Sequence, residues 1–202
     1  MSNVTRGDGL LEKFLAKKRA KQADKCIPGE LRTGAILDIG CGTYPFFLIN
    51  TTFEKKFGVD RIEREEDTVT EDNRQNKITL TDYDVEQAEK LPFQSGYFNA
   101  VTMLAVFEHI EPDKLPFLLN EIHRVLSPGG VFVMTTPAKW TDKLLRVMAK
   151  LRLVSPQEIE EHKDAYTAKK IKAIVAKTNF HLENVRVGHF ELFMNLYAAI
   201  GK

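Results

Sequence analysis

Short apolar runs separated by helical stretches repeat along the chain from Ala35 onward. The run Ala35–Ile39 predicts a buried strand, and four more strands are predicted at residues 56–59, 78–81, 100–104 and 131–135. The amphipathic stretch at residues 115–126 predicts a helix, and Pro128-Gly129-Gly130 then predicts a turn into the fifth strand. Alternation of this kind indicates an α/β fold, a doubly wound Rossmann-like domain with a mostly parallel sheet.

The first part of the chain has a helical pattern of its own. Residues 10–25 carry apolar side chains on one helical face and then become basic, and Pro28-Gly29 ends the pattern. We therefore predict an N-terminal basic helix within residues 1–30, which packs on or leads into a single domain of residues 31–202. No repeat or linker-like segment divides that domain.

Three further patterns follow the fifth predicted strand. Residues 139–154 combine apolar side chains with five basic ones and predict a basic amphipathic helix. Residues 167–178 predict another helix, with Asn179 as a left-handed cap. The last pattern predicts a hairpin that closes the sheet edge, with Gly188 between strands at residues 182–187 and 192–200.

Composition excludes several classes of protein. The 202 residues include 29 Lys and Arg against 28 Asp and Glu, a balance that disfavours binding to nucleic acid through many phosphates. Cys26 and Cys41 are too few for a four-thiolate zinc site and do not resemble a disulfide framework, so we expect a reducing, cytoplasmic setting. The acidic run at residues 63–72 lacks calcium-loop spacing, and we expect no metal site.

A glycine turn, Gly40-Cys41-Gly42, directly follows the first predicted strand. Glycine lets backbone N–H groups approach a ligand, although turns of this kind also occur for structural reasons alone. Asp38 precedes the turn, and Asp60 and Asp84 follow the second and third strands. Because ligands of doubly wound sheets bind beyond the carboxyl ends of the strands, these acids are predicted to converge on one crevice. The alternative is that they cap unrelated helices.

Several stretches in order along the chain carry a resemblance to a known family. They are Ile36-Leu-Asp-Ile-Gly-Cys-Gly-Thr43, Phe57-Gly-Val-Asp60, Leu91-Pro-Phe93 with Phe98-Asn-Ala-Val101, Val106-Phe-Glu-His-Ile110, and Arg124-Val-Leu-Ser-Pro-Gly-Gly130 before Thr135-Thr-Pro137. This set resembles the motifs of class I S-adenosylmethionine-dependent methyltransferases with a type 11-like domain. The likeness covers roughly residues 30–200, and it implies a seven-stranded sheet whose last strand is antiparallel.

The resemblance also implies a cofactor, S-adenosyl-L-methionine, which becomes S-adenosyl-L-homocysteine after methyl transfer. Asp38 would engage the methionine amino group, and Gly40 and Gly42 would admit the carboxylate end close to the backbone, with Cys41 between them. Tyr44 stands where the family frequently has a third glycine. Its ring therefore either packs away from the site or borders the substrate pocket.

For the other parts of the cofactor the resemblance implies four contacts. Asp60 would hold the ribose, and Asp84 would accept a hydrogen bond from the adenine amino group, with Val85 packing on the ring. Asp82 competes with Asp84 for this role. Leu104, after the fourth strand, would lie beside the methionine portion. At Asn99 the family commonly has Asp, and we expect a structural role for this position.

No residue is assigned as the catalytic group. An acceptor that must lose a proton benefits from a general base, and His109 and Tyr166 are the candidates, with His162 close to Tyr166 in the sequence. The alternative for His109 is that it belongs, with Glu108, to the scaffold.

The acceptor itself is not identified by the sequence. The family implies a variable substrate cap, here residues 138–166, and we predict a small-molecule acceptor or one linked to a lipid or glycan. The basic helices predict a weak contact with an anionic membrane surface. The alternative functions are a non-catalytic cofactor-binding module and an NAD(P)-dependent oxidoreductase, although Pro45 breaks the fingerprint of the latter.

Overall fold

The structure is a computed structural model that describes residues 12–62, 70–87, 89–141 and 163–202. Seven strands form one sheet in the order β3-β2-β1-β4-β5-β7-β6. They are β1 (Ala35–Ile39), β2 (Lys55–Asp60), β3 (Ile78–Asp82), β4 (Phe98–Leu104), β5 (Leu126–Pro137), β6 (Val185–Phe190) and β7 (Asn195–Gly201). Strands β1 to β5 pair in parallel, and β7 is antiparallel to both of its neighbours. The predicted fold class is confirmed.

Five α-helices are described, and they cover both faces of the sheet. They are α1 (Glu12–Cys26), α2 (Phe46–Asn50), α3 (Glu71–Gln75), α4 (Leu115–Val125) and α5 (Ala168–Val175). Helices α4 and α5 pack on one side of the sheet, where they share a core with Leu37, Ile39 and Phe132. Helices α1 and α2 pack on the other side with Ile36 and Val133. This arrangement follows from β-strand geometry, because successive side chains point to opposite faces.

Strand β1 lies inside the sheet, beside the central strand β4, and is buried at all five positions. Its neighbours are β2 on one side and β4 on the other, so the strand order reverses at the β1–β4 boundary. In open α/β sheets a crevice forms beyond the carboxyl ends of the strands at such a switch point. The glycine turn leaves β1 at this crevice.

The helix α1 packs on the sheet through small apolar residues. Ala20 and Ala23 are buried in the same core cluster as Ile36, and Ile27, directly after the helix, joins that cluster. Close packing of small side chains brings the polar residues of the same helix near the carboxyl edge of the sheet. None of the helices in the described ranges has the length and apolar character that crossing a bilayer requires.

Two details of the C-terminal prediction are wrong. Gly188 lies inside β6, paired with Tyr197, and the hairpin turn lies instead at residues 191–194. Asn179 is not among the described residues with a positive φ, and the segment after α5 continues through Ala176 with φ of −60°. The Ala176 N–H donates a hydrogen bond to the Lys172 carbonyl, so the helical pattern of α5 continues to this residue. The helix therefore ends without a left-handed residue at Asn179.

Other predicted elements match more closely or lie outside the described residues. The strand predicted at residues 131–135 lies within the buried part of β5. The observed strand begins five residues earlier, at Leu126. Of the predicted helix at residues 139–154, only Lys139–Thr141 is described, as a single 3-10 turn. The rest of that prediction falls within residues 142–162, which are not described.

Candidate functional site

The glycine turn after β1 is shaped by contacts that only glycine permits. Gly40 has φ of +75°, and a Cβ built on it would lie 2.2 Å from Cγ2 of Val106. Gly42 has φ of +71°. The left-handed conformation is strained for residues with a Cβ. The backbone conformation therefore favours glycine at both positions, in addition to the cofactor contact that the sequence predicts for them.

The Asp60 carboxylate is bonded to this turn. Its Oδ2 accepts a hydrogen bond of 2.7 Å from the Gly42 N–H, and its Oδ1 accepts one of 2.7 Å from the Arg61 N–H. Asp60 is only 5% exposed. These bonds hold the carboxylate at the end of β2 and fix its orientation next to the glycine turn.

A cleft lies beyond the ends of β1, β2 and β3, and we name it the Asp60 cleft. Its lining contains four residues with carboxylate or guanidinium groups, namely Asp60, Arg61, Asp84 and Glu86, together with His109, Tyr83, Gly40 and an apolar set that includes Val85 and Ile110. Asp84 Oδ1 accepts a hydrogen bond of 2.9 Å from the Glu86 N–H, which orients the side chain. The cleft thus brings together two of the three predicted aspartates.

Asp82 takes a different position. Its Oδ1 accepts a hydrogen bond of 2.9 Å from the Ile62 N–H, so the side chain ties β3 to the segment after β2. Asp82 is exposed and does not line the Asp60 cleft. Of the two alternatives from the sequence, only Asp84, with Val85, has the geometry for contact with a ligand in that cleft.

The third aspartate, Asp38, lines a second cavity, which we name the Asp38 cavity. Gly40 lines both spaces, so the glycine turn joins them. The remaining walls come from three elements and consist of Cys41, Phe46, Phe47 and Leu104 together with Ala16, Arg19 and Ala20 of α1. Of the predicted residues in this region, Cys41 and Leu104 lie here, whereas Tyr44 is half-buried in the turn and lines neither space.

Asp38 is buried in an environment that disfavours its charge. Burial raises the pKa of its carboxyl to about 7, against the opposing effect of the Thr102 hydroxyl. That hydroxyl donates a hydrogen bond of 2.7 Å to Asp38 Oδ1. A carboxylate in such a place is stabilised by a cationic partner. An ammonium group in the Asp38 cavity would supply that partner.

Arg19 is the residue of this cavity that the sequence did not reveal. Its guanidinium Nε is buried and has no hydrogen-bond partner among the described residues. A buried donor of this kind fits an anionic group such as a carboxylate. In the sequence, Arg19 is one basic residue among several in the N-terminal helix, and no motif distinguishes it from its neighbours.

The two candidates for a general base lie in different surroundings. His109 lines the Asp60 cleft and not the Asp38 cavity, so it is next to the predicted nucleoside contacts. Tyr166 is fully buried, and its ring packs edge-to-face on Phe107 with centroids 4.9 Å apart. Burial raises the pKa of the Tyr166 hydroxyl, as do Asp164 and Glu108. His162, which the sequence places close to Tyr166, lies outside the described residues.

A comparison with known protein families shows which family the residues of this site resemble. Residues 37–134 match the family model described as "Methyltransferase domain", of the type named Methyltransf_11. Over these residues, just under half of the chain, the protein is similar to a methyltransferase domain of this family. The matched residues run from β1 to β5 and contain the glycine turn, Asp38, Asp60 and Asp84, so both spaces described above belong largely to the methyltransferase domain.

Related proteins agree with this assignment. An uncharacterized methyltransferase of Synechocystis sp. is 36% identical over 56 residues, a match that spans 26% of this chain and 26% of that relative. A SAM-dependent methyltransferase of Archaeoglobus fulgidus superposes with a TM-score of 0.69 at 17% identity, and 94% of each chain is covered. An S-adenosylmethionine-dependent methyltransferase of Mesorhizobium loti gives 0.66 at 16% identity, over 93% of this chain and 100% of that one.

The methyltransferase fold bears on two of the expectations from the sequence. S-adenosylmethionine is the cofactor implied by the family and by these neighbours, in agreement with the prediction. The observed strand order, with β7 inserted antiparallel between β5 and β6, differs from the order 3-2-1-4-5-6 of dinucleotide-binding dehydrogenases. The oxidoreductase alternative therefore loses its structural support.

Proposed function

We propose that this protein transfers a methyl group from S-adenosylmethionine to an acceptor bound beside the Asp38 cavity. The observation that carries the proposal is that Gly40 lines two adjoining spaces, one with Asp60 and Asp84 and the other with Asp38 and Arg19. The adenosine part of the cofactor needs acceptors for its ribose hydroxyls and its adenine amino group, and the Asp60 cleft offers them. The amino-acid part needs partners for an ammonium and a carboxylate, and the Asp38 cavity offers those.

In the Asp38 cavity, the amino-acid end of the cofactor meets complementary charges. Asp38 would accept hydrogen bonds from the methionine ammonium, and the unpartnered Arg19 Nε would donate to its carboxylate. Gly40, Cys41 and Gly42 would bring backbone close to the same end, with Leu104 as an apolar neighbour. Tyr44 remains a proposed border of the substrate pocket.

In the Asp60 cleft, the nucleoside meets acceptors at two positions. Asp60, which is held by the N–H groups of Gly42 and Arg61, would accept hydrogen bonds from the ribose hydroxyls. Asp84 would accept from the adenine amino group, with Val85 against the ring. This assignment leaves His109 beside the nucleoside, so His109 would contribute to binding rather than to proton transfer.

The chemistry needs little from the protein beyond alignment. When bound, the cofactor supplies an electrophilic methyl group on a positively charged sulfur leaving group. The residues of this chain would orient that group and exclude water, and positioning of this kind is worth about 7 to 11 kcal/mol in well-oriented reactions. A non-catalytic cofactor-binding module would have the same binding residues, so activity has to be measured directly.

Calorimetry with S-adenosylhomocysteine and with NAD tests the binding step, and transfer of a labelled methyl group from S-adenosylmethionine to a metabolite panel tests catalysis. We expect binding of S-adenosylhomocysteine but not of NAD. Binding of NAD alone would overturn the proposal. Tight binding without methyl transfer to any acceptor of the panel would favour the non-catalytic module.

We also propose a weak contact with anionic membrane surfaces and a cytoplasmic location. Three large apolar residues near the hairpin turn support the first part, since Leu192 is 88% exposed, Phe193 69% and Trp140 58%. The Trp140 indole N–H donates to the Phe193 carbonyl, so these residues form one patch. Flotation with anionic and neutral vesicles tests the contact. Phe193→Asp should abolish flotation, whereas Phe117→Asp, at an exposed site on α4, should not.

A further inference from the structure

The loop after β3 carries the two residues that we assign to the adenine ring, Asp84 and Val85. Residues 83–87 follow the strand as an irregular stretch that ends in a turn. A loop of this kind lacks the regular hydrogen bonds of a strand or helix, so contacts with neighbouring elements have to fix its position. Those contacts therefore determine where the Asp84 carboxylate lies in the Asp60 cleft.

Glu86 makes three hydrogen bonds that join this loop to other parts of the site. Its N–H donates to Asp84 Oδ1 over 2.9 Å. Its side-chain Oε1 accepts a hydrogen bond of 2.9 Å from the Glu111 N–H, and its carbonyl accepts one of 2.9 Å from Lys114 Nζ. One residue thus connects the Asp84 carboxylate to residues 111–114, directly before α4.

The segment to which Glu86 is bonded is itself held in place. The Lys114 N–H donates a hydrogen bond of 2.9 Å to the Glu111 carbonyl and closes a turn. Ile110, next to this turn, is buried in the core cluster that α4 shares with the sheet. The Glu111 carboxylate also pairs with Lys163 Nζ at 3.0 Å. The partner of Glu86 is therefore a fixed point against which the loop is placed.

The two carboxylate oxygens of Asp84 have different surroundings. Oδ1 accepts the hydrogen bond from the Glu86 N–H, which orients the group. Oδ2 lies 3.9 Å from the guanidinium of Arg61, whose side chain is mostly exposed. An exposed ion pair of this length is weak, so Oδ2 stays able to accept a hydrogen bond from a ligand. The orientation of Asp84 thus depends on Glu86 more than on Arg61.

We propose that Glu86 is a positioning residue of the nucleoside site, which holds Asp84 Oδ2 where it selects the amino group of adenine. The proposal rests on the function proposed above and extends it from binding of the cofactor to recognition of its base. Glu86 acts through Asp84 and needs no contact of its own with the base. Without the bond to the Glu111 N–H, the loop shifts and Asp84 Oδ2 no longer meets the amino group.

A purely structural role of Glu86 would have different consequences. The hydrogen bonds to Glu111 and Lys114 contribute to stability whether or not a ligand binds nearby. A lower melting temperature in a Glu86 variant therefore says nothing about adenine. A structural role would leave unchanged the ratio of the affinities for two ligands that differ only in the adenine amino group.

S-adenosylhomocysteine and its 6-deamino analogue form such a pair, because hydrogen replaces the amino group in the analogue and the rest of the molecule is the same. A carboxylate accepts hydrogen bonds from the amino group and gains nothing from the hydrogen on carbon. We expect the unaltered protein to prefer S-adenosylhomocysteine about tenfold or more, as for the loss of a hydrogen bond to a charged group. Isothermal titration calorimetry measures both affinities.

Variants of the loop and its partners test the positioning role. Glu86→Ala removes the acceptor for the Glu111 N–H and should reduce the preference about threefold or more. Glu86→Gln keeps an oxygen that can accept from the same N–H and should retain the preference. Lys114→Met removes the bond to the Glu86 carbonyl and should reduce the preference in the same direction. Glu89→Ala, at an exposed site of the same segment, is the control and should keep it.

A double variant tests whether Glu86 acts through Asp84. Asp84→Ala already removes the acceptor for the amino group, so adding Glu86→Ala should leave the ratio of the two affinities unchanged. A further fall of the ratio in the double variant would show that Glu86 contacts the base itself, and would overturn the positioning role.

The failures of this inference and of the proposed function are distinguishable. If Glu86→Ala keeps the full preference, whatever its melting temperature, the positioning role is overturned and the proposed methyl transfer stands. The same holds if the unaltered protein binds both ligands equally well. If Glu86→Ala does not fold, an unchanged preference in Lys114→Met overturns the role. If S-adenosylhomocysteine does not bind at all, the proposed function fails and the positioning role fails with it.

Discussion

The Asp60 carboxylate at the end of β2 accepts a hydrogen bond of 2.7 Å from the backbone N–H of Gly42, in the turn that follows β1. This bond connects the ends of β1 and β2, next to the β1–β4 boundary where the strand order reverses. One side chain therefore both shapes the glycine turn and forms part of the wall of the adjoining cleft. A substitution at this position should affect the turn and the proposed ribose site together.

Replacing Asp60 with Ala should weaken binding of S-adenosylhomocysteine by about a hundredfold or more. The physical reason is that two hydrogen bonds from ribose hydroxyls to a charged acceptor are worth about 1.5 to 3 kcal/mol each. Isothermal titration calorimetry measures the affinity. Asp24→Ala is the control, because it removes an ion pair with Arg32 of 2.9 Å on a different part of the surface. Unchanged affinity in Asp60→Ala would contradict the assignment.

A pair of variants discriminates between the two aspartates near the end of β3. Each carboxylate accepts one local backbone hydrogen bond of 2.9 Å, Asp82 from the Ile62 N–H and Asp84 from the Glu86 N–H. The two Ala variants should therefore lose similar amounts of stability. Only Asp84→Ala should lose affinity for S-adenosylhomocysteine, by about tenfold, because only Asp84 lines the Asp60 cleft. The opposite result would assign the adenine contact to Asp82.

The contact between Gly40 and Val106 predicts a coupled effect. Gly40→Ala should destabilise the protein, since the left-handed conformation costs an Ala about 1 to 2 kcal/mol and the new Cβ would lie 2.2 Å from Val106 Cγ2. Adding Val106→Ala should recover the steric part of this loss and leave the conformational part. Urea unfolding of the two single variants and the double variant measures the coupling. Strict additivity would show that the collision is relieved elsewhere.

The parts of the site that the sequence predicts are those set by local chain order. The strand Ala35–Ile39 was predicted with its correct bounds, because an apolar run is followed directly by the glycine turn. Whether Asp82 or Asp84 faces the cleft could not be read from the sequence. The choice depends on a hydrogen bond from Ile62, which is 20 residues away in the chain.

Arg19 was missed for a similar reason. Its role depends on how α1 lies across the sheet, and helical periodicity identifies which face of a helix is apolar but not what the helix packs against. Tertiary arrangements of this kind are outside the reach of local patterns.

The raised pKa of Asp38 predicts how the stability of the protein varies with pH. Because burial raises its pKa to about 7 in the folded protein, the folded state keeps this proton between about pH 4 and pH 7 while the unfolded state has lost it. The contribution of Asp38 to stability therefore falls across that interval, by roughly 4 kcal/mol, and is fully unfavourable above pH 7. Asp38→Asn should consequently stabilise the ligand-free protein at pH 8 and have little effect at pH 4.

The same carboxyl should give an opposite pH dependence for the ligand. Protonated Asp38 cannot pair with an ammonium, so affinity for S-adenosylhomocysteine should fall as the pH decreases below about 7. At alkaline pH the affinity should fall again, because the α-amino group of the ligand loses its proton. Calorimetry from pH 5 to pH 10 should give a bell-shaped profile, and Asp38→Asn should lose the acidic limb. An acidic limb that persists in this variant would have to come from another group.

The hydrogen bond that Asn99 accepts predicts the effect of replacing it with Asp, the residue that the family commonly has here. Its Oδ1 accepts a hydrogen bond of 3.0 Å from the Ala35 N–H at the start of β1. Asp offers an acceptor of the same shape, so Asn99→Asp should fold and bind S-adenosylhomocysteine normally. Asn99→Ala leaves the Ala35 N–H without its acceptor and should lower the free energy of unfolding by about 1 to 3 kcal/mol.

Urea unfolding compares the three forms, with Thr33→Ala as a control that removes an exposed side-chain hydrogen bond to the Glu30 carbonyl. A loss in Asn99→Ala no larger than in Thr33→Ala would mean that water or a shifted backbone satisfies Ala35. A large loss in Asn99→Asp would mean that the added negative charge at this half-buried position, rather than a missing acceptor, decides the outcome.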